Sequence, residues 1–218
     1  IRRQRQMCIR DSGFPIQWIP KNPRWQNYVD IWTQIPLLTF VKNTVKITVV
    51  VTLLQLFTSS FAAYAFAKMQ FKGKNALFLG YIATIAVPWQ AYMVPQFMMM
   101  SSWHLNNTHL AIMCLQAFSA FGVFLMKQFY EGVPTELCEA ARIDGLSEYG
   151  IWWHIMLPLS LPALSTLTIF TFVNTWNDFL GPLIYLTKTE LKTIQIGLRM
   201  FITQYSAEYG LIMAASCL

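Results

Sequence analysis

The stretch from Asn75 to Met126 decides the fold: NALFLGYIATIAVPWQAYMVPQFMMMSSWHLNNTHLAIMCLQAFSAFGVFLM contains no Asp, Glu, Lys or Arg. Two further charge-free stretches, Ile47–Ala67 and Tyr149–Asn177, flank it. A helix needs roughly 20 apolar residues to cross the hydrocarbon core of a bilayer. All three stretches reach that length, so we predict an integral membrane protein.

The bulk composition agrees with this prediction. Of the 218 residues, 55% are hydrophobic and 12% charged, whereas soluble domains carry about 25% charged residues. The net charge is +6, but the basic residues are scattered singly, which excludes nucleic acid as a partner. The four cysteines form no CxxC pair, and Cys114 and Cys217 lie in apolar stretches. We therefore predict that these two are small buried residues and that the cysteines form neither a disulfide nor a metal site.

Polar interruptions divide the chain into segments. We predict an all-α polytopic membrane bundle whose spans are about 44–67, 76–100, 108–128, 157–179 and a truncated 209–218. Residues 1–12 are interpreted as a non-native or junction segment and residues 13–43, rich in Trp and Pro, as an extracytoplasmic loop. The remaining 44–218 form the transmembrane domain. Within the second span, Pro88 and Pro95 are expected to kink the helix.

The distribution of basic residues predicts the orientation. The 68–74 turn holds three lysines and the 101–108 turn holds none. Because positively charged loops stay in the cytoplasm, we expect 68–74 and 127–154 to be cytoplasmic. The N-terminal loop and 180–208 are then external, although 180–208 also carries basic residues.

The cytoplasmic interval contains a distinctive segment, EGVPTELCEAARIDGLSEYGIWWHIMLP, at 131–158. It predicts two short helices. Thr135 is a candidate cap of the first helix, Gly145 suits a left-handed residue at its end, and Ser147 is a candidate cap of the second. Pro158 stands at the entry to the next span.

This segment resembles the signature loop of ABC importer permeases: Glu-Ala-Ala, three residues, Gly, nine residues, Ile, one residue, Leu-Pro. The chain matches every fixed position, namely Glu139, Ala140, Ala141, Gly145, Ile155, Leu157 and Pro158. Segments such as SSFAAYAF at 59–66 and WNDF at 176–179 resemble the corresponding segments of carbohydrate-importer permeases. The resemblance is strongest to the second (G-type) permease subunit of the maltose transporter.

The resemblance implies a type I ABC importer permease fold, with five spans visible of six. It implies a multi-pass protein of the bacterial inner membrane, surrounded by membrane lipid. Such a protein pairs with a second permease subunit, an ATP-binding subunit dimer and an extracytoplasmic solute-binding protein to import a sugar. The chain itself has no phosphate-binding loop, so ATP hydrolysis is expected in the partner and no cofactor in this chain.

The resemblance also implies roles for the loop. The helix at about 135–144 would be the coupling helix, part of a cytoplasmic coupling loop at 129–156. Its proposed contacts with the ATPase are ionic ones by Glu139 and Arg142, flanked by Asp144, and close packing by Ala140 and Ala141, with Gly145 forming the turn.

Polar residues in the spans are candidates for the substrate pathway: Asn174, Trp176, Asn177, Asp178 and Gln90. A ring face with amides and a carboxylate suits sugar recognition. Alternatively, Asp178 caps the end of its span in water and Asn174 bonds a neighbouring helix.

Three other functions fit the sequence less well. A secondary transporter predicts charges at mid-bilayer and internal repeats, and neither is visible in the sequence. An intramembrane enzyme needs a nucleophile–base pair or metal ligands at depth, which are also missing from the pattern. Within the same class, the solute could be a polyol or glycerol phosphate.

Overall fold

The computed structural model describes Trp32 and residues 35–204, with side chains through residue 200. The described residues form helices and no β-strand, so the all-α prediction is confirmed. The α-helices in chain order are α1 Leu37–Lys68, α2 Lys74–Ala83, α3 Trp89–Ser102, α4 His109–Gln116, α5 Ala120–Glu131, α6 Thr135–Ile143, α7 Glu148–Ile151, α8 Leu157–Leu159, α9 Leu161–Trp176, α10 Leu180–Tyr185 and α11 Ile194–Gln204. Short 3₁₀ turns lie at Thr84–Ala86 and Thr189–Leu191, and a π-helical turn lies at Trp152–Met156.

Four segments of the described chain are candidates for crossing a membrane. Leu37–Lys68 and His109–Glu131 are each long and apolar enough alone, and two bent helix pairs qualify if each pair is one span. Their positions correspond to the four complete spans predicted from sequence, whereas the predicted 209–218 span lies outside the described residues. The first helix begins at Leu37, well before the predicted boundary of about 44.

Helix α1 lies at the centre and packs mainly against α5 and α9. Small side chains on its C-terminal half allow close approach, because Ser59, Ser60 and Ala63 are all buried. A basic side chain caps the C-terminal end of α1, because Lys74 Nζ donates to the carbonyls of Ala67 and Met69 at 3.3 and 3.0 Å. A cation at this position also complements the helix dipole.

The predicted 76–100 span is sharply broken. Lys74–Ala86 and Trp89–Ser102 differ in direction by 101°, which is more than the predicted kink. Pro88 stands between them in an extended conformation and Val87 before it is also extended, since proline disfavours a helical residue on its N-terminal side. Pro95, the other expected kink, lies inside the continuous α3.

The break between α4 and α5 leaves helix carbonyls without their usual donors, and α1 supplies replacements. Gln55 Nε2 donates to the Gln116 carbonyl at 2.7 Å, and Thr58 Oγ1 donates to the Ala117 carbonyl at 2.7 Å. Such replacement is required where backbone groups lie away from water. These bonds therefore fix the depth at which α1 meets the α4–α5 span.

The predicted 157–179 span also differs from a straight helix. Glu148–Leu159 and Leu161–Trp176 bend by 79° near Pro158 and Pro162. A π-helical turn, Trp152–Met156, precedes the bend. The straight part of this span is therefore Leu161–Trp176, which begins later and ends earlier than predicted.

On the predicted outer side, the segment after α10 is held across the helix ends. Asn107 Oδ1 accepts hydrogen bonds from Thr187 N, Thr187 Oγ1 and Lys188 N. Asn43 Nδ2 donates to the carbonyls of Glu190 and Lys192. The segment thus joins the start of α1 to the turn before α4.

Candidate functional site

The first feature of interest is α6, the helix of the signature loop. It spans Thr135–Ile143, and Pro134 rather than Thr135 occupies the N-cap position, without a side-chain cap bond. The expected cap by Thr135 is therefore wrong, because Thr135 is already the first helical residue. Glu136 in the first turn and Arg142 in the last turn both complement the helix dipole.

The turn after α6 has the predicted geometry. Gly145 has φ of 84°, the left-handed conformation that glycine adopts without steric cost. The Ser147 hydroxyl then accepts a bond from Gly150 N at 3.2 Å and caps α7. Both the left-handed glycine and the serine cap are confirmed. This turn directs the chain back towards the spans.

One face of α6 is buried against the chain itself. Cys138 and Ala141 lie in a core cluster with Tyr64 and Met156, and Cys138 Sγ lies 3.8 Å from Met156 Sδ. Burial raises the pKa of the Cys138 thiol, so the thiol stays protonated and unreactive. Ala141 therefore packs internally, which is a different partner from the ATPase suggested by the resemblance.

The opposite face of α6 is exposed. It carries Glu139, Ala140 and Ile143, and the Ile143 side chain is 87% exposed. Asp144 and Gly145 continue the exposed surface at the helix end. The exposed face of α6 therefore combines one apolar side chain, Ile143, with the Glu139 carboxylate and the small Ala140.

Arg142 is engaged within the chain. Its Nε donates to Glu148 Oε1 at 2.7 Å and its Nη2 to Oε2 at 3.2 Å, while Tyr64 Oη donates to the same Oε2 at 2.5 Å. The Arg142 bonds, with help from Tyr64, hold the pKa of Glu148 below its ordinary value. Glu148, and not Glu139, is therefore the carboxylate that organises this loop.

A second feature is a chamber of about 700 Å³ lined by residues of α1, α3, α4, α5, α9 and α10. Its polar lining is supplied by Gln55, Gln96, Gln116, Ser119, Thr171, Asn174, Thr175, Asn177 and Asp178, and its aromatic lining by Trp89, Tyr92, Phe118, Phe121, Phe170, Phe179 and Tyr185. The mixture of ring faces with amides and hydroxyls is the surface that a sugar needs.

Hydrogen bonds link the polar lining into a network. Thr171 Oγ1 donates to Gln55 Oε1 at 2.9 Å. Gln116 Nε2 donates to Asp178 Oδ2 at 2.7 Å, and Gly181 N donates to Asp178 Oδ1 at 3.2 Å. These bonds hold the helices around the chamber in register.

Three of the five predicted pathway residues line the chamber, and two do not. Asn174, Asn177 and Asp178 line the chamber, whereas Trp176 and Gln90 do not. Trp176 stacks on Phe172 with ring centroids 5.6 Å apart, so its ring is turned to a different side of α9. The neighbour of Gln90, Trp89, faces the chamber instead, because one residue along a helix rotates the side chain by about 100°.

Several residues that line the chamber are not among those predicted from the sequence. Gln55 is the only amide of its predicted span, and Gln116 is the only amide in the charge-free part of its span. Thr171 is one of several hydroxyl residues in its span. An intramembrane polar residue is itself a signal of function or helix contact. Applying that rule to every span would have found them. Their convergence on one chamber depends on helix packing and has no local signal.

These features define a helical membrane protein with an exposed helix, α6, in the loop between two candidate spans. The chain belongs to the family of binding-protein-dependent transport system inner membrane components, whose profile matches residues 27–218. The suspected ABC importer family is thereby confirmed.

Two transport permeases are similar in sequence to this chain over most of its length. The arabinooligosaccharides transport system permease protein AraQ of Halalkalibacterium halodurans is 36% identical over 206 residues, which cover 94% of this chain and 74% of AraQ. The lactose transport system permease protein LacG of Rhizobium radiobacter is 35% identical over 194 residues, covering 89% of this chain and 71% of LacG.

A solved structure supports the fold. A chain from a bacterial ABC transporter involved in the import of the acidic polysaccharide alginate superposes with a TM-score of 0.81 at 24% identity. The match covers 91% of this chain and 76% of that one. The type I importer fold expected from the sequence is thus confirmed.

Proposed function

We propose that this chain is the membrane-spanning permease subunit of an ATP-driven sugar importer in a bacterial inner membrane, which the chain crosses several times. Its relatives AraQ and LacG are named as permeases for arabinooligosaccharides and lactose, which supports a sugar as the solute. Its partners would be a second permease subunit, a dimer of ATP-binding subunits and an extracytoplasmic solute-binding protein.

The observation that carries the proposal is the exposed face of α6. Ile143 is 87% exposed while Cys138 and Ala141, on the other face, are buried. The helix is therefore fixed to the chain by one side and presents Glu139, Ala140 and Ile143 on the other. A cleft in the ATPase that accepts this face would remove the isoleucine from water, which is favourable by roughly 1.5–3 kcal/mol for full burial.

Co-purification tests the docking. The full-length chain is expressed with the products of its neighbouring genes, and an ATPase subunit is expected to copurify through α6. Glu139→Lys and Ile143→Ser should each remove most of the bound ATPase. The matched control is Glu190→Lys, which makes the same charge change on the opposite, predicted extracytoplasmic side. Retention of the ATPase by both α6 variants would contradict the proposal.

The chamber is the proposed part of the translocation pathway in this subunit. Asn174, Asn177 and Asp178 line it together with Trp89 and Tyr92. Ring faces stack on the apolar faces of a sugar ring, and amides and carboxylates bond its hydroxyls. The described lining contains no Lys or Arg, which favours a neutral solute over glycerol phosphate, since bound phosphate groups are usually paired with cations.

Uptake measurements test the proposed role of the chamber in the translocation pathway. The complete transporter is reconstituted in liposomes with its binding protein, and uptake of labelled arabinooligosaccharide, lactose, a polyol and glycerol phosphate is compared. We expect uptake of one of the sugars and its reduction by Asn174→Ala. Trp176→Phe, which changes a residue outside the chamber, is the control. Uptake of the polyol or glycerol phosphate alone would support the alternative solute class.

A further inference from the structure

The last turns of α1 hold the signature loop at both flanks of α6. Tyr64 and Lys68 are four residues apart on α1 and therefore lie on the same face of the helix. Lys68 Nζ donates to the Val133 carbonyl at 2.5 Å, just before α6 begins. Tyr64 Oη donates to Glu148 Oε2 at 2.5 Å, shortly after α6 ends.

The connection at the second flank continues into α6 itself. Glu148 accepts from Tyr64 on one side and from Arg142 Nε and Nη2 on the other. Arg142 belongs to the last turn of α6. A continuous chain of charge-assisted hydrogen bonds thus runs from α6 through Glu148 to α1, and such bonds are shorter and stronger than neutral ones.

Burial makes these contacts specific. Tyr64 is 1% exposed and Lys68 is 8% exposed. Buried polar groups are almost always hydrogen-bonded in folded proteins, and both of these side chains find their partners in the loop. Loss of either partner would therefore leave a polar group of α1 unsatisfied.

Helix α5 precedes the loop in the chain, and its polar side chains Lys127, Tyr130 and Glu131 have partners other than the flanks of α6. Lys127 of α5 pairs with Glu131 of the same helix. Tyr130 of α5 contacts Ser160 at 3.4 Å, which lies beyond the loop. Among the hydrogen bonds of the described chain, the side-chain bonds that join α1 to the flanks of α6 are those of Lys68 and Tyr64.

The same helix reaches the chamber. Gln55 precedes Tyr64 by a rise of about 14 Å along an α-helix. Its side chain bonds the Gln116 carbonyl and Thr171 Oγ1, which belong to helices that enclose the chamber. The same helix therefore contacts both the signature loop, at its C-terminal end, and the chamber wall, through Gln55.

We infer that Tyr64, Lys68 and Glu148 are positioning residues that make α1 move together with the coupling helix, so that closure of the ATPases is passed to the chamber through α1. The inference rests on the proposed function, because it needs an ATPase docked on α6. It assigns a mechanical role to three side chains outside both the docking face and the chamber lining.

The test uses the complete transporter in liposomes and measures sugar molecules taken up per ATP hydrolysed. Tyr64→Phe removes only the hydroxyl, and Glu148→Gln removes the charge. Each is expected to lower the uptake per ATP about five-fold, within the range of typical coupling effects. The double variant should be no worse than the stronger single variant, because both remove the same connection. Tyr130→Phe, a buried tyrosine of the same core cluster, is the matched control.

A distance measurement distinguishes a positioning role of Tyr64 from a contribution to the stability of the fold alone. Spin labels are placed at two exposed positions, Thr135 at the start of α6, which lies outside the docking face, and Lys72, and their separation is measured with and without nucleotide. The wild-type transporter should keep one narrow distance in both states, because α6 and the end of α1 move as a unit. Tyr64→Phe should broaden or shift the distance when nucleotide binds, and Tyr130→Phe should not.

The two possible failures are distinguishable. If no ATPase copurifies with the wild-type chain, or the reconstituted wild type takes up no sugar, the proposed function fails. If the wild type transports normally and Tyr64→Phe matches Tyr130→Phe in both uptake per ATP and label distance, the positioning role is overturned while the proposed function stands.

Discussion

Gly122 of α5 lies so close to Ser59 of α1 that a β-carbon on Gly122 would stand 2.5 Å from the Ser59 hydroxyl oxygen. The same β-carbon would lie 3.1 Å from Ser59 Cβ and 3.3 Å from Leu167 Cδ1 of α9. Three helices therefore meet at this glycine. Small residues at such crossings let membrane helices approach closely and gain dispersion energy.

Gly122→Ala should destabilise the bundle by about 1–3 kcal/mol, the usual cost of overpacking, because rotating the Ser59 hydroxyl still leaves the β-carbon of Ser59 and the leucine methyl in the way. Thermal unfolding in detergent measures the effect. The control is Gly80→Ala in α2, where a β-carbon would meet nothing within 4 Å. Equal melting temperatures for the two variants would show that the crossing is not tight.

Gly145→Ala should weaken the turn that follows the coupling helix. Space is not the obstacle, since no atom lies within 4 Å of the position that a β-carbon would occupy. The cost of about 1–2 kcal/mol comes from backbone strain alone, because φ at this residue is 84°. Gly145→Asn should cost less, because asparagine tolerates the left-handed conformation better.

Hydrogen exchange of the amides at 140–150 measures the weakening. Gly132→Ala is the control, since Gly132 has φ of −75° and an alanine there adopts the same backbone. Faster exchange in the alanine variant at 145 than in the asparagine variant is expected. Equal exchange in both would contradict the strain argument.

The side-chain oxygen of Asn107 should hold the outer segment after α10 in place by accepting its hydrogen bonds. Asn107→Asp keeps that oxygen and should leave the segment in place, whereas Asn107→Gly keeps the φ of 59° but loses the hydrogen bonds from Thr187 and Lys188. Limited proteolysis between 186 and 193 measures the difference. We expect faster cleavage of the glycine variant than of the aspartate variant, and the reverse order would contradict the assignment.

Glu148, in the loop outside the straight part of the spans, should stay ionised throughout the physiological range. Because its pKa is lowered in the folded chain, its contribution to stability is fully present above the unfolded value of about 4.3 and is lost as the pH falls through the folded value. The attachment of α6 to α1 is therefore expected to be constant between about pH 5 and pH 8.

Carbon NMR of labelled glutamate side chains measures this titration, with Glu148→Gln used to assign the signal. Arg142→Gln should move the titration midpoint upward, because the Arg142 hydrogen bonds are the largest cause of the lowered pKa. A midpoint in the wild type above the ordinary glutamate value would contradict the arrangement at Glu148.

The local features of the signature loop were predictable because each rests on residues close in sequence. The left-handed Gly145 and the Ser147 cap follow from steric and hydrogen-bonding preferences within a few residues. Thr135 was misassigned because a threonine can either cap a helix or occupy its first turn, and the capping position depends on where the first turn begins. The bend at Pro88 was predicted as a kink, but its size of 101° depends on how both halves pack.

The chamber was only partly predictable for a related reason. Asn174, Asn177 and Asp178 share one end of a span, so a single helix places them together. Other lining residues, such as Gln55, are far from them in sequence and meet them through helix contacts. Trp176 carried the right chemistry, but its ring stacks on Phe172 on a different side of α9.

The membrane class, the helical fold and the signature loop were determined by the sequence alone, because the distance between charges and the spacing of the motif are properties of the chain itself. Tertiary structure decided which side chains the loop uses internally. Arg142 pairs with Glu148, and Glu148 reaches Tyr64 of a helix 84 residues away. Contacts of that separation depend on the packing of whole helices, and local sequence preferences carry no information about them.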